Sequence, residues 1–148
     1  MAENTTTIDA TPEQIFEVLL DAWTYKDWVV GADQIRAVDP DWPRAGSAFH
    51  HTVGVGPAKV DDLTKIVAVD APRRLVLEAR ARPAGVAHVE FVVEPAQEGR
   101  STVTIEEHPI DGPAAALPEP IVDAGLKLRN VETLRRLRRL VEERVGAR

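Results

Sequence analysis

The chain has 148 residues, of which 44% are hydrophobic and 28% charged, and this composition predicts a globular domain with its own core. A formal net charge of −6 and only three tryptophans, three phenylalanines and one tyrosine disfavour a nucleic-acid-binding protein, which needs cations for phosphates and aromatic rings for bases. Cysteine is absent, which excludes disulfides, thiolate metal ligands and a thiol nucleophile. The sequence shows neither a signal-peptide pattern nor a long apolar run, so we expect a cytoplasmic protein without membrane insertion.

The N-terminal segment predicts one strand followed by two helices. The residues TTTID alternate weakly between apolar and polar, as a strand does. In TPEQIFEVLLDAW, Thr11 fits an N-cap and Pro12 the first helical position. Gln14 lies three residues after the cap, as in a capping box. The segment YKDWVVG predicts a second, short helix closed by Gly31.

From about residue 33 the hydrophobic period changes to two, which is typical of strands. Short turns rich in glycine and proline separate these strands, so we expect an antiparallel meander. The last element is a helix over about 119–145, with an apolar stripe on one side and charges on the other. The six strands are predicted near 33–38, 46–53, 58–69, 74–82, 86–94 and 101–107.

The order strand, two helices, six strands and long helix predicts an α+β fold. The segments ATPEQIFEVLLDAWTYKDWV, VDAPRRLVLEAR, VEFVVEP and STVTIEEHP before a terminal helix resemble the START-like helix-grip superfamily (SRPBCC), in its polyketide cyclase/dehydrase branch. The resemblance covers nearly the whole chain. It implies one helix-grip domain over 1–148, with a curved seven-stranded antiparallel sheet wrapped around the C-terminal helix. It also implies a cavity for an apolar small molecule between sheet and helix.

A strand register follows from facing apolar residues to apolar residues across each hairpin. This rule pairs Leu77 with Phe91, and Leu75 with Ala68. It also places Glu107 opposite Val89, although the position of Glu107 near a strand end favours an outward side chain.

One end of the resulting inner face is bulky and the other end carries small side chains. Ala79, Ala81, Ala87 and Thr64 lie at the small end, where a helix of fixed diameter leaves a gap. We therefore expect a largely apolar pocket there, with Trp28 and Tyr25 near its entrance or Trp28 packed on the sheet. The residues expected to bind a ligand are Trp28, Phe49, His51, Val53, Thr64, Ala79, Ala81, Phe91, Leu126 and Asn130.

The segment FHHTVGVGP contains the chemical candidates His50 and His51. Neighbouring strand residues point to opposite faces, so the two histidines cannot share a metal, and we predict no metal site and no cofactor. His50 is expected on the outer face. His51 is either a core histidine satisfied by a backbone carbonyl or by Asp62, or a group that transfers protons with Asp62 or Glu107.

Three functions remain open. The first is binding of a hydrophobic or aromatic molecule that is polyketide-, lipid- or isoprenoid-like. The second is a polyketide cyclase or dehydratase in which His51, Asp62 and Glu107 are catalytic. The third is a protein-interaction module that uses the groove or the arginines at 135, 136, 138 and 139, although a solvated face is the simpler interpretation of those arginines.

Overall fold

The computed structural model describes residues 1–53, 57, 59–81 and 85–147, apart from the side chain of Val53. In this part of the chain, seven antiparallel strands form one sheet in the order β1-β7-β6-β5-β4-β3-β2. The helices are α1 (Pro12–Leu19), α2 (Tyr25–Trp28) and α3 (Glu119–Gly146). The strands are β1 (Ala2–Ile8), β2 (Ala32–Val38), β3 (Ala48–Val53), β4 (Val60–Asp70), β5 (Arg74–Ala81), β6 (Gly85–Pro95) and β7 (Ser101–Asp111).

The start of α1 is the predicted capping box. Thr11 Oγ1 accepts from the Gln14 N–H at 3.2 Å, and Gln14 Oε1 accepts from the Thr11 N–H at 2.9 Å. The reciprocal bonds satisfy backbone donors that the first helical turn leaves open. The second helix is also confirmed, but it ends at Trp28; Gly31, with φ +98°, lies in the turn before β2.

The core forms where α1 and the C-terminal half of α3 cover the inner face of the sheet. Leu134, Leu137 and Val141 of α3 are buried, whereas the more N-terminal Val122 and Leu126 are only partly covered. This contrast follows the predicted gradient of side-chain size along the sheet. At the bulky end, Ile66, Leu75, Phe91, Val93, Val103 and Ile105 are buried.

The register of the sheet confirms the predicted faces but corrects two hairpins. Between β6 and β7, Val89 pairs with Glu107 and Phe91 with Ile105, as expected. Between β5 and β6, Phe91 pairs with Leu75 and not with Leu77, a slip of two residues. A slip of two keeps every side chain on its face, so the inner set is unchanged.

The second correction comes from an irregularity in the middle of β4. The pairing shifts between Ile66 and Ala68, so Leu75 faces Val69 and not Ala68. The extra residue of such a bulge displaces all later pairs by one position.

The last strand is longer than predicted and leads directly to the final helix. β7 continues to Asp111, and a short 3-10 turn at Pro113–Ala116 precedes α3. Glu107 therefore lies inside the strand and is buried with the inner face, which overturns the expectation that it points outward. None of the helices in the described ranges is long and apolar enough to cross a membrane.

Candidate functional site

A cavity of about 450 Å³ opens between the small-residue end of the sheet, α2 and the N-terminal half of α3. Its size lies in the range of pockets that hold drug-sized molecules. Ala79, Ala81 and Ala87 line it from the sheet, so the missing side-chain volume leaves the space. The side chain of the predicted Val53 lies outside the described residues. The other predicted ligand-binding residues all line the cavity: Trp28, Phe49, His51, Thr64, Ala79, Ala81, Phe91, Leu126 and Asn130.

One wall of the cavity is aromatic. The Tyr25 ring centroid lies 4.6 Å from that of Trp28 and 4.6 Å from that of Phe49, and Trp28 meets Phe91 edge-on at 5.7 Å. Trp28 is fully buried and donates from Nε1 to Thr24 Oγ1 at 3.0 Å. Of the two predicted alternatives, Trp28 packs on the sheet, and Tyr25 lies beside it in the wall between α2 and the sheet and not at the entrance.

The Tyr25 hydroxyl is also committed to the protein. It donates to the Leu19 carbonyl oxygen at 2.6 Å, and burial raises the pKa of the phenol far above its ordinary value. A ligand in the cavity consequently meets the ring of Tyr25 and not an available acid.

His51 reaches the cavity from β3 and is 4% exposed. Its Nε2 lies 2.9 Å from Thr64 Oγ1, on the neighbouring strand. Burial lowers the pKa of the imidazole below its usual 6.5, so the ring is neutral at pH 7. Its Nδ1 is buried and makes no hydrogen bond of good geometry among the residues described, although the backbone of Leu63 is close enough to offset part of the fall in pKa.

Asp62, the predicted partner of His51, lies beside it on the neighbouring strand. The two residues are cross-strand partners, but Asp62 does not belong to the described lining of the cavity. Oδ1 of Asp62 accepts from the Leu63 N–H at 2.9 Å. The ring nitrogen Nε2 of His51 is hydrogen bonded to Thr64 Oγ1. Asp62 is close enough for its charge to raise the pKa of His51, against the larger lowering by burial, so proton transfer between the two stays a prediction.

His50 lies on the other face of β3, as strand alternation requires. Its ring is 36% exposed and its Nε2 lies 3.2 Å from Asp39 Oδ1. The two adjacent histidines thus have different surroundings, one at the protein surface and one in the cavity wall.

Glu107, Arg129 and Asn130 form a second polar group, which we call the polar cluster. Glu107 is 3% exposed, and its Oε1 accepts from Arg129 Nη2 and, at 3.1 Å, from Asn130 Nδ2. Asn130, which was predicted to bind a ligand, is fully buried, and its amide donates to Glu107. The cluster connects β7 to α3 across the cavity.

Sequence reasoning missed Arg129. The residue lies one helical turn from Leu126 and from Thr133, both of which line the cavity. Combined with an inward Glu107 in the register, that spacing is a signal for an ion pair across the cavity. The remaining lining is mostly apolar, and no group of three or more metal-binding side chains occurs in the described parts of the chain.

Comparison with solved structures places this architecture among START-like proteins. Protein CV1439 from Chromobacterium violaceum is 18% identical with a TM-score of 0.70, and the match covers 95% of each chain. A START superfamily protein from Mycobacterium smegmatis is 16% identical with a TM-score of 0.68, covering 99% of this chain and 97% of the other. At these identities the likeness establishes the helix-grip fold alone.

A third structure is the di-domain ARO/CYC StfQ from the steffimycin biosynthetic pathway. It is 13% identical with a TM-score of 0.71, and the match covers 99% of this chain but 46% of StfQ. No curated protein matches the chain. The family model described as polyketide cyclase / dehydrase and lipid transport matches residues 2–142. The chain therefore belongs to that family and to the START-like helix-grip superfamily, as its sequence patterns predicted.

Proposed function

We propose that the protein binds a hydrophobic or aromatic small molecule, polyketide-, lipid- or isoprenoid-like, in the cavity between the sheet and α3. The observation that carries this proposal is the cavity of about 450 Å³ with its largely apolar lining. A space of this size would lower the stability of the protein without a ligand, because the residues that line it lack neighbours to pack against. The family description, which includes lipid transport, supports the same function.

The aromatic wall supports the aromatic part of the proposal. The ring centroids of Trp28 and Phe49 each lie 4.6 Å from that of Tyr25. These contacts fix the rings before a ligand arrives. A fixed wall binds a flat apolar ligand with little loss of side-chain entropy.

Native mass spectrometry of the protein purified from its own host tests this function. We expect a co-purified apolar molecule that denaturation releases. The matched control is Ala79→Leu, which adds three carbon atoms inside the cavity and should reduce the adduct. Wild-type protein that carries no adduct and also takes up no added apolar molecule would contradict the proposal.

The second candidate function is a polyketide cyclase or dehydratase that uses the same cavity. His51 favours it, since the residue lines the cavity and a neutral imidazole is the form that acts as a general base; its Nε2 would have to exchange the hydrogen bond to Thr64 for one to the substrate. Either Asp62, which is paired with His51 across the strands, or Glu107, which lines the cavity, would assist it. If the protein turns over such a substrate, His51→Gln should lower kcat by roughly 10²-fold while it preserves binding; an unchanged kcat would exclude His51 as the base.

A further inference from the structure

The Glu107 carboxylate has one oxygen committed to the protein and one that is not. Both donors of the polar cluster, Arg129 Nη2 and Asn130 Nδ2, reach Oε1. None of the described residues donates to Oε2. Oε2 is not among the buried side-chain atoms that lack a hydrogen-bond partner in the described chain. Since it also has no donor, it must be accessible. Because Glu107 is 3% exposed and lines the cavity, the space that reaches Oε2 is the cavity itself.

The other polar side chains of the lining already have partners. His51 is hydrogen bonded to Thr64, and Thr133 Oγ1 accepts from the Val30 N–H at 3.3 Å. Arg80 donates to Glu78 at 2.8 Å. Nδ1 of His51 and Nε of Arg129 make no hydrogen bond of good geometry, but both atoms are sealed from the cavity. Among the accessible side-chain acceptors of the described lining, Glu107 Oε2 is therefore the one without a donor.

The charge of the polar cluster determines which ligand group can donate a hydrogen bond to Glu107 Oε2. An ionised carboxylate accepts hydrogen bonds and donates none. Arg129 compensates the charge of Glu107, so the pair offers no net positive charge to an anion, and a ligand carboxylate at Oε2 would meet a like charge. A neutral hydroxyl donates to Oε2 without repulsion.

We propose that the cavity selects an uncharged apolar or aromatic molecule that carries a hydroxyl group, an alcohol or a phenol, which donates its hydrogen to Glu107 Oε2. This inference rests on the proposed binding function and specifies its ligand class. The aromatic wall binds the apolar body, and the polar cluster fixes the orientation of the hydroxyl end.

Isothermal titration at neutral pH with naphthalene, 2-naphthol and 2-naphthoate tests the inference. We expect wild-type protein to bind 2-naphthol about tenfold or more tightly than either other probe, because a hydrogen bond to a charged group adds at least this much. In Glu107→Gln, which removes the negative charge beside Arg129, that preference should disappear and the affinity for 2-naphthoate should rise.

Equal affinities for the three probes, or tightest binding of 2-naphthoate by wild type, would overturn the hydroxyl preference and leave apolar binding intact. Failure of folded wild type to bind 2-naphthol overturns it as well. Binding of the neutral dye N-phenyl-1-naphthylamine then decides whether the proposed function fails too.

Arg129→Gln provides the second variant if Glu107→Gln does not fold. The Arg129 side chain is 37% exposed, so its replacement is better tolerated than a change at Glu107. Loss of the guanidinium removes the positive charge with which a ligand carboxylate could pair, so the affinity for 2-naphthoate should fall and the preference for 2-naphthol over 2-naphthoate should widen. A narrower preference in Arg129→Gln would contradict the inference.

Discussion

At the scale of single residues, the position of a titratable group relative to the sheet decides its chemistry. His51 and Glu106 illustrate opposite cases. His51 is buried in the inner face, where desolvation disfavours its charged form and lowers its pKa. Glu106 lies on the outer face between Glu3 and Glu90, and a shared hydrogen bond with Glu3, together with burial and acidic neighbours, raises the pKa of its carboxyl.

His51 makes stability depend on pH in a defined direction. Below pH 6.5 the unfolded state takes up a proton at this position before the folded state does, so the unfolding free energy falls as the pH falls toward the folded pKa. His51→Gln lacks this proton. We expect its stability relative to wild type to increase between about pH 7 and pH 5 in urea unfolding experiments. A constant difference across this range would show that His51 is not desolvated.

Glu106 should give the opposite pH profile. A raised carboxyl pKa means that its contribution to stability is present below the usual 4.5 and is lost as the pH rises through the folded pKa. Glu106→Gln should therefore stabilise the protein at neutral pH, by less than about 1 kcal/mol because the site is partly solvated. The gain should vanish in acid.

Glu94→Gln is the control for Glu106→Gln. Glu94 is exposed and faces Thr102, not another acid, so its replacement removes one negative charge without relieving an acidic pair. Equal stabilisation by both variants in chemical unfolding would indicate a general charge effect.

At the scale of elements, α1 and α3 are stabilised in different ways. The first helix has eight residues and depends on its cap and on its buried face. The third has 28 residues, and ion pairs such as Arg136 to Glu132 at 3.2 Å and Arg138 to Glu142 at 3.1 Å lie along its surface. Unlike these surface ion pairs, the cap satisfies a backbone donor, which its loss would leave open.

Removal of the α1 cap should have a measurable cost. Thr11→Ala leaves the Gln14 N–H without its acceptor and should lower the unfolding free energy by about 1 kcal/mol, whereas Thr11→Ser retains the hydroxyl. Thermal unfolding of both variants compares them. If serine destabilises as much as alanine, the hydroxyl is not what stabilises the helix start.

Charge reversal on the α3 surface should have a small effect. Arg136→Glu and Arg139→Glu should each change the unfolding free energy by less than about 1 kcal/mol, as exposed ion pairs usually contribute little. Ligand binding should be unchanged, since neither arginine lines the cavity in the described structure. Loss of a protein partner from host lysate, with ligand affinity intact, would instead support the interaction-module hypothesis.

At the scale of the whole molecule, the alternation of side chains made the inner face predictable from sequence. The two-residue slip of β5 against β6 was not predicted because it preserves that alternation. The bulge near Ala68 was not predicted because no residue type in the sequence marks its position. The role of Arg129 was not predicted because a charged residue on a helix does not belong to the apolar pattern that marks the buried face. Its guanidinium nevertheless reaches Glu107. Placing that contact requires the curvature of the sheet, which depends on all seven strands together.

The central claim is that the small-residue end of the sheet leaves a cavity that an apolar molecule occupies, and one fluorescence titration tests it most directly. The neutral dye N-phenyl-1-naphthylamine is titrated into wild type, Ala79→Leu and, as a control, Ala37→Leu, whose alanine is exposed on β2. We predict saturable binding by wild type and Ala37→Leu, and its loss in Ala79→Leu with the melting temperature maintained. If Ala79→Leu binds the dye like wild type, or unfolds as an overpacked core does at a cost of about 1–3 kcal/mol, the cavity is not the binding site.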